Sequence, residues 1–440
     1  MSNDAAAELP GVASECWLLK FDEQGDCISP DTRRQLLAVL AARPACRVIL
    51  ISHGWNNDFS DAVDLYARFM RQVEAFGVLA SDEKPAVLVG VIWPSSWAPR
   101  DKGPVIAGGA PPISDRAYDP AFMLLDGLSD GSARQQASDL LSRATLSSEE
   151  ATILASHVVA ALAASSNDPA REVAEAPPNV GDVLTAMQAL GRGSTAPSPD
   201  DWAAGTQSAT EIGKPAAAGW LSIDPMMAVR VFSVYQMKDR AGRVGASGVA
   251  RLLDALLATP HPIHAVGHSY GCKVLLSALC GGSPPPRPIE SLLLLQPALS
   301  HLAFAASVPG RDGPGGYRAA LSPDHVRQPI VSTFSACDLP LHTVFHLALR
   351  RVADLGELLV AAGGTRAGEP PSVYCALGGY GPRGSDEQLI DPLPRAGEPY
   401  ALLPGKRICA FDGTLDKRIG GHGDVTSDMT AWLFAQQVLA

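Results

Sequence analysis

Gly267-His268-Ser269-Tyr270-Gly271 places a serine between two glycines. The apolar run Ile263–Val266 precedes it, and Cys272–Leu279 follows with helical character. A strand that turns into a helix through G-x-S-x-G lifts the serine oxygen above the strand's carboxyl end. Gly267 and Gly271 would let a strained serine backbone and a close strand–helix crossing coexist. The helix start would lie beneath negative charge developing on a substrate oxygen. A purely structural Gly-Ser turn is the rival; the strand before and the helix after favour a nucleophile elbow.

A serine hydroxyl needs a base. Of ten histidines, His422 in Gly420-Gly421-His422-Gly423-Asp424 stands after the apolar run Arg407–Phe411 and before the last helical pattern, Thr426–Val438. Serine, acid, histidine is the expected chain order for such an elbow, which suits His422 as base. The alternative is a solvated loop histidine. The acid should follow the preceding core strand. Ile330–Phe334 runs into Ser335-Ala336-Cys337-Asp338, which makes Asp338 the first choice to orient the imidazole. Asp338 also precedes Pro340, so it could simply cap a helix. Asp412, at the end of the last strand, is the alternative acid.

An oxyanion needs backbone donors. One is expected from Tyr270, directly after the nucleophile. The other is expected from Ser52-His53-Gly54-Trp55-Asn56-Asn57, where Gly54 lets the backbone approach and the Trp55 N–H donates. The rival is an Asn-rich turn with no further role.

The elements that would carry these residues alternate. Arg47–Ser52, Ala86–Trp93, Arg230–Tyr235, Ile263–Gly267, Ser291–Leu295, Ile330–Phe334, Val373–Leu377 and Arg407–Phe411 are strand-length apolar runs. Asp61–Phe76, Val249–Ala258 and Lys273–Cys280 have helical spacing. This order predicts an α/β fold with a mostly parallel sheet and helices on both faces. From Trp97 to Met227 no strand is evident, and helices are expected near Pro120–Leu128, Ala133–Ala144, Ser148–Ala164 and Val180–Leu190. A structureless loop of that length is implausible. The expected organisation is therefore a core of residues 1–96 and 228–440 with a helical lid, 97–227, inserted between its halves. The stripe Ile153, Leu154, Val158, Ala161 and Leu162 either lines an acyl pocket or buries the insertion's own core.

Composition bounds the function. Lys+Arg number 35 against 46 Asp+Glu, a formal charge of −11, and there is no basic run. Sequence-independent nucleic-acid binding is disfavoured. No apolar run approaches the ~20 residues of a membrane span. The N-terminal run shows neither a positive nor an apolar region, so no secretory signal is expected there. Eight scattered cysteines without a CxxC pair suggest neither a disulfide framework nor a zinc site, and a cytoplasmic setting is the default.

The series HGWNN, helix, VGVIWPS (Val89–Ser95), then GHSYG resembles the α/β-hydrolase superfamily, and within it a bacterial serine-esterase-like group. The resemblance covers roughly Trp17–Ser95 and Val229–Ala440; Trp97–Met227 is longer than the group's usual connection. It implies an α/β-hydrolase fold and a Ser269–His422–Asp338 triad. It also implies esterase or lipase-like cleavage of a small-molecule or lipid-like carboxylic ester, with no cofactor or metal. Thioester, amide and acyl-transfer chemistry use the same groups, and a non-catalytic binding protein could keep the fold.

Three patterns are set aside. Gly379-Tyr380-Gly381-Pro382-Arg383-Gly384 is literally GxGxxG, but prolines and not a helix follow. His342 and His346 lack the glutamate of HExxH. Cys272 is expected to be a buried small side chain.

Overall fold

Runs of branched apolar residues too short for a helix become strands when both faces can be covered. In the computed structural model, which describes residues 7–43, 46–79, 85–95, 120–165, 179–192, 223–282, 284–309, 312–345 and 366–440, eight strands form one sheet. They are β1 (Glu15–Lys20), β2 (Arg47–Ser52), β3 (Ala86–Ile92), β4 (Ile263–His268), β5 (Ser291–Leu295), β6 (Ile330–Phe334), β7 (Gln388–Ile390) and β8 (Ile408–Asp412). Their order is β1-β3-β2-β4-β5-β6-β8-β7, and every pair is parallel.

The period of two sorts each strand between two cores. Val48 and Leu50 join one core with helices α1 (Pro30–Ala42), α8 (Ala250–Leu257) and α9 (Tyr270–Cys280). Ile49 and Ile51 join the other, with α2 (Phe59–Ala75) and α10 (Asp428–Leu439). The helix α2 starts on a capping box, in which Asp58 accepts from the Asp61 N–H and Asp61 accepts from the Asp58 N–H.

Between β3 and β4 the described chain is helical: α3 (Pro120–Asp126), α4 (Gly131–Leu141), α5 (Ser148–Ser165), α6 (Val180–Arg192) and α7 (Met226–Val244). The residues from Trp97 to the start of α3 lie outside the described residues. These helices share a third core. Leu154, Val158, Ala161 and Leu162 are buried in it, with Ile153 packed against it. The apolar stripe therefore buries the segment's own core, together with Met227, Val231 and Phe232 from the first half of α7. Arg240, further along α7 and buried, ties the segment to the sheet. It donates to the Pro94 oxygen at 2.9 Å and pairs with Glu23 at 3.0 Å.

Two expected strands are not strands. Arg230–Tyr235 lies inside α7, which continues through a π turn, Gly245–Val249, into α8. That helix is buried nearly all round, so its apolar residues carry no amphipathic period to mark it. Val373–Leu377 is a turn with one isolated bridge, Ser300 to Ala376, running into a helical turn, Leu377–Tyr380. Ala376 and Leu377 join the core and make no ladder, while Val373 is exposed.

Candidate active site

In a parallel sheet the loops at the carboxyl ends of the strands gather on one side, and a crevice opens where the chain reverses its direction of winding. Here the chain winds one way from β2 to β3 and the other way from β4 to β5, so the reversal lies between β2 and β4. Their ends are level, with Ser52 beside Gly267. Ser269 follows β4, and the His53–Asn57 loop follows β2.

Ser269 has φ 56° and ψ −124°, a conformation that costs a non-glycine residue on the order of 1–3 kcal/mol. Its N–H donates to the Leu295 oxygen at 3.0 Å, and its carbonyl accepts from the Cys272 N–H at 3.1 Å. Gly271 is required by space: a β-carbon there would lie 2.3 Å from the Ser52 oxygen and 2.5 Å from the His53 oxygen. Gly54 is confined in the same way, with its notional β-carbon 2.7 Å from the Ser269 Cβ. The β2 loop thus touches the serine directly.

His422 and Asp338 reach Ser269 from β8 and β6. The Ser269 Oγ lies 2.8 Å from His422 Nε2, and His422 Nδ1 lies 2.8 Å from Asp338 Oδ2. All three residues are buried. A carboxylate can only accept, so Nδ1 carries the hydrogen and Nε2 presents its lone pair to the serine hydroxyl. Asp338 also takes the helix-capping role: its Oδ1 accepts from the Leu341 N–H at 3.0 Å. One oxygen caps the turn that follows and the other holds the imidazole.

Asp412 does not reach His422 through any hydrogen bond described. Its two oxygens accept from the Ala367 N–H at 2.9 Å, the Thr414 N–H at 2.9 Å and the Thr414 hydroxyl. It closes the loop after β8.

The His53 loop is braced from β3. The Trp93 N–H donates to His53 Nε2 at 3.2 Å, and His53 Nδ1 donates to the Gly54 oxygen at 2.9 Å. The two rings stack with centroids 5.5 Å apart. Burial pulls the His53 pKa down to about 4, so the ring is neutral. Ser95 Oγ donates to the Asn57 oxygen at 2.9 Å and accepts from the Asn57 N–H at 3.2 Å. Asn57 Nδ2 donates to the Trp55 oxygen at 2.9 Å. The Trp55 and Tyr270 rings lie 6.4 Å apart, and Tyr270 opens α9. The two residues expected to supply oxyanion donors are therefore neighbours through their rings.

His268 and Gly267 stand behind the serine. His268 Nε2 donates to the His422 oxygen at 2.9 Å. Cys272 is buried, its thiol donates to the Gly267 oxygen at 3.1 Å, and burial pushes its pKa well above the ordinary value. His342 donates through Nε2 to the Ala367 oxygen at 2.9 Å and stacks on Tyr380 at 4.2 Å. His346 lies outside the described residues. The GxGxxG run leaves its helical turn at Gly381 and reaches β7 with no helix after it. Among the described residues no three His, Cys, Asp or Glu side chains gather as a metal site, and no helix is long and apolar enough to cross a membrane.

Gln296, after β5, was not anticipated; its Nε2 donates to Asp338 Oδ2 at 2.9 Å. Its sequence signal was a polar residue closing the apolar run Ser291–Leu295 at the carboxyl edge. Compared with protein-family models, with curated proteins and with solved structures, the chain gives no match.

Proposed function

We propose that this chain is a serine hydrolase of the α/β-hydrolase fold that cleaves a carboxylic ester, with residues 97–227 as an inserted helical lid. The observation that carries the reading is His422, which bridges Ser269 Oγ and Asp338 Oδ2 at 2.8 Å on each side. His422 Nε2 takes the hydroxyl proton as Ser269 Oγ attacks the ester carbonyl, and Asp338 stabilises the resulting imidazolium. The Trp55 and Tyr270 N–H groups receive the developing oxyanion, next to the positive end of α9. The imidazolium returns its proton to the leaving alcohol. Water then adds to the acyl-enzyme with His422 again as base, releasing the acid.

A panel of p-nitrophenyl esters of graded chain length, combined with fluorophosphonate labelling, tests this. Hydrolysis that disappears in Ser269→Ala, with the label on Ser269, is the expected result. Turnover by folded Ser269→Ala within about tenfold of the parent overturns it.

A further inference from the structure

Gln296 follows β5, whose neighbours in the sheet are β4 and β6, the strands that precede Ser269 and Asp338. Its backbone has φ 43°, the left-handed region that a residue with a long side chain rarely occupies. Three donated bonds hold it there. Its N–H reaches Thr333 Oγ1 at 3.0 Å, and its Nε2 reaches Asp338 Oδ2 at 2.9 Å and the Gly378 oxygen at 3.2 Å. Both side-chain acceptors are oxygens without a hydrogen to give, so the amide can face them only with its nitrogen. Among the described residues its own oxygen, Oε1, is buried with no hydrogen-bond partner. A glycine would occupy this backbone without strain, and a residue without an amide would leave no buried acceptor unmade. The glutamine stands here despite both costs, which points to the work of its nitrogen.

We infer that Gln296 is a positioning residue for the reaction proposed above, and the inference rests on that reading. Its Nε2–H and the His422 Nδ1–H converge on one carboxylate oxygen, Asp338 Oδ2. With Leu341 N–H on Oδ1, each carboxylate oxygen has a fixed donor besides the imidazole. Those donors set the plane of the carboxylate and therefore the direction in which the His422 ring points. The amide dipole also tempers the negative charge that the imidazolium meets. Without it the carboxylate would hold a proton on His422 more tightly, and less of the base would be free at neutral pH.

Gln296→Leu and Gln296→Met each remove the donor at similar volume. Three readouts are taken: kcat and KM on a p-nitrophenyl ester, the acid limb of kcat/KM, and the His422 ring titration by NMR on ¹³C-histidine-labelled protein. In Gln296→Leu, kcat is expected to fall by about tenfold or more with KM within about threefold. The His422 midpoint moves to higher pH in both variants. A folded Gln296→Leu with unaltered kcat and an unmoved His422 midpoint overturns the inference. Where Gln296→Leu does not fold, an unmoved midpoint in Gln296→Met does the same. The titration needs no substrate, so a parent protein inert on every ester overturns the hydrolase reading separately.

Discussion

His268 Nε2 donates to the main-chain oxygen of His422 at 2.9 Å, so the residue before the elbow serine anchors the loop that carries the proposed base. Their rings lie 5.0 Å apart. Burial first, and then the charge of His422, pull the His268 pKa down to about 3, which keeps the anchor neutral while its neighbour cycles. His268→Ala is expected to lower kcat by about 10- to 100-fold and leave KM within a few-fold, because a loosened base costs the transition state and not binding. Steady-state kinetics and the rate of fluorophosphonate labelling check this. An unaltered labelling rate removes His268 from the positioning of His422.

Ser269→Ala and His422→Ala should each lower ester turnover by about 10⁴, since members of such a unit fail together. Asp338→Asn should approach that loss, because an amide presents the wrong hydrogen-bonding partner to His422 Nδ1. Asp412→Asn should behave differently. Asp412 accepts from the Ala367 and Thr414 backbones, so its loss costs about 1–3 kcal/mol of stability. Turnover per folded molecule stays within a few-fold. Thermal melts beside kcat for the two variants separate the roles, and a severe loss of kcat confined to Asp412→Asn reverses the assignment.

Acid should destabilise this protein early. Burial holds His53, His264 and His301 down at about 4 and His268 at about 3, against about 6.5 in an unfolded chain. Between those values the unfolded chain binds protons that the folded chain refuses. Stability is therefore full above about pH 6.5 and falls as pH drops towards 4. Each ring contributes up to about 1.4 kcal/mol per pH unit in that window. His264 lies away from Ser269, on the Ser291 hydroxyl at 2.8 Å. His264→Asn should flatten the slope of unfolding free energy between pH 6.5 and 5 by about one proton's worth. Chemical denaturation across that range measures it, and a parallel slope in the variant contradicts it.

The insertion should not be dispensable. Met227, Val231 and Phe232 of α7 share a core with Leu124, Leu154, Val158 and Met187. Replacing residues 101–215 by a short linker bares that face of a helix otherwise packed against α9. The shortened chain should melt at lower temperature or aggregate before any effect on chain-length preference can be read. A shortened chain with the parent's melting temperature would show that α7 stands without its cover.

The core strands β2 to β6 were legible because each holds a short run dominated by apolar residues and bounded by turns. β7 was not, since three half-exposed residues give no period, and neither was the edge strand β1. Arg230–Tyr235 misled because complete burial erases the difference between helical and strand spacing. The residues that meet around Ser269 could be named because each follows a strand in a parallel sheet, which confines them to one edge. Gln296 obeys the same rule, but a single amide has no motif around it. What distinguishes it is a backbone angle and a shared acceptor, and neither is written in residue types. Asp338 was legible as two alternatives, imidazole partner or cap; in the structure one oxygen faces the His422 ring and the other the Leu341 N–H.

The order of the sheet also sets a schedule. Ser269 and His422 are 153 positions apart, and Asp338 and His422 are 84 apart. During synthesis the serine leaves the ribosome long before any ring can accept its proton. The histidine comes into place only when β8 has docked on β6. A nascent chain, or one cut between β6 and β8, therefore carries an ordinary alcohol at position 269. On the hydrolase reading proposed above, the finished sheet is its own activator.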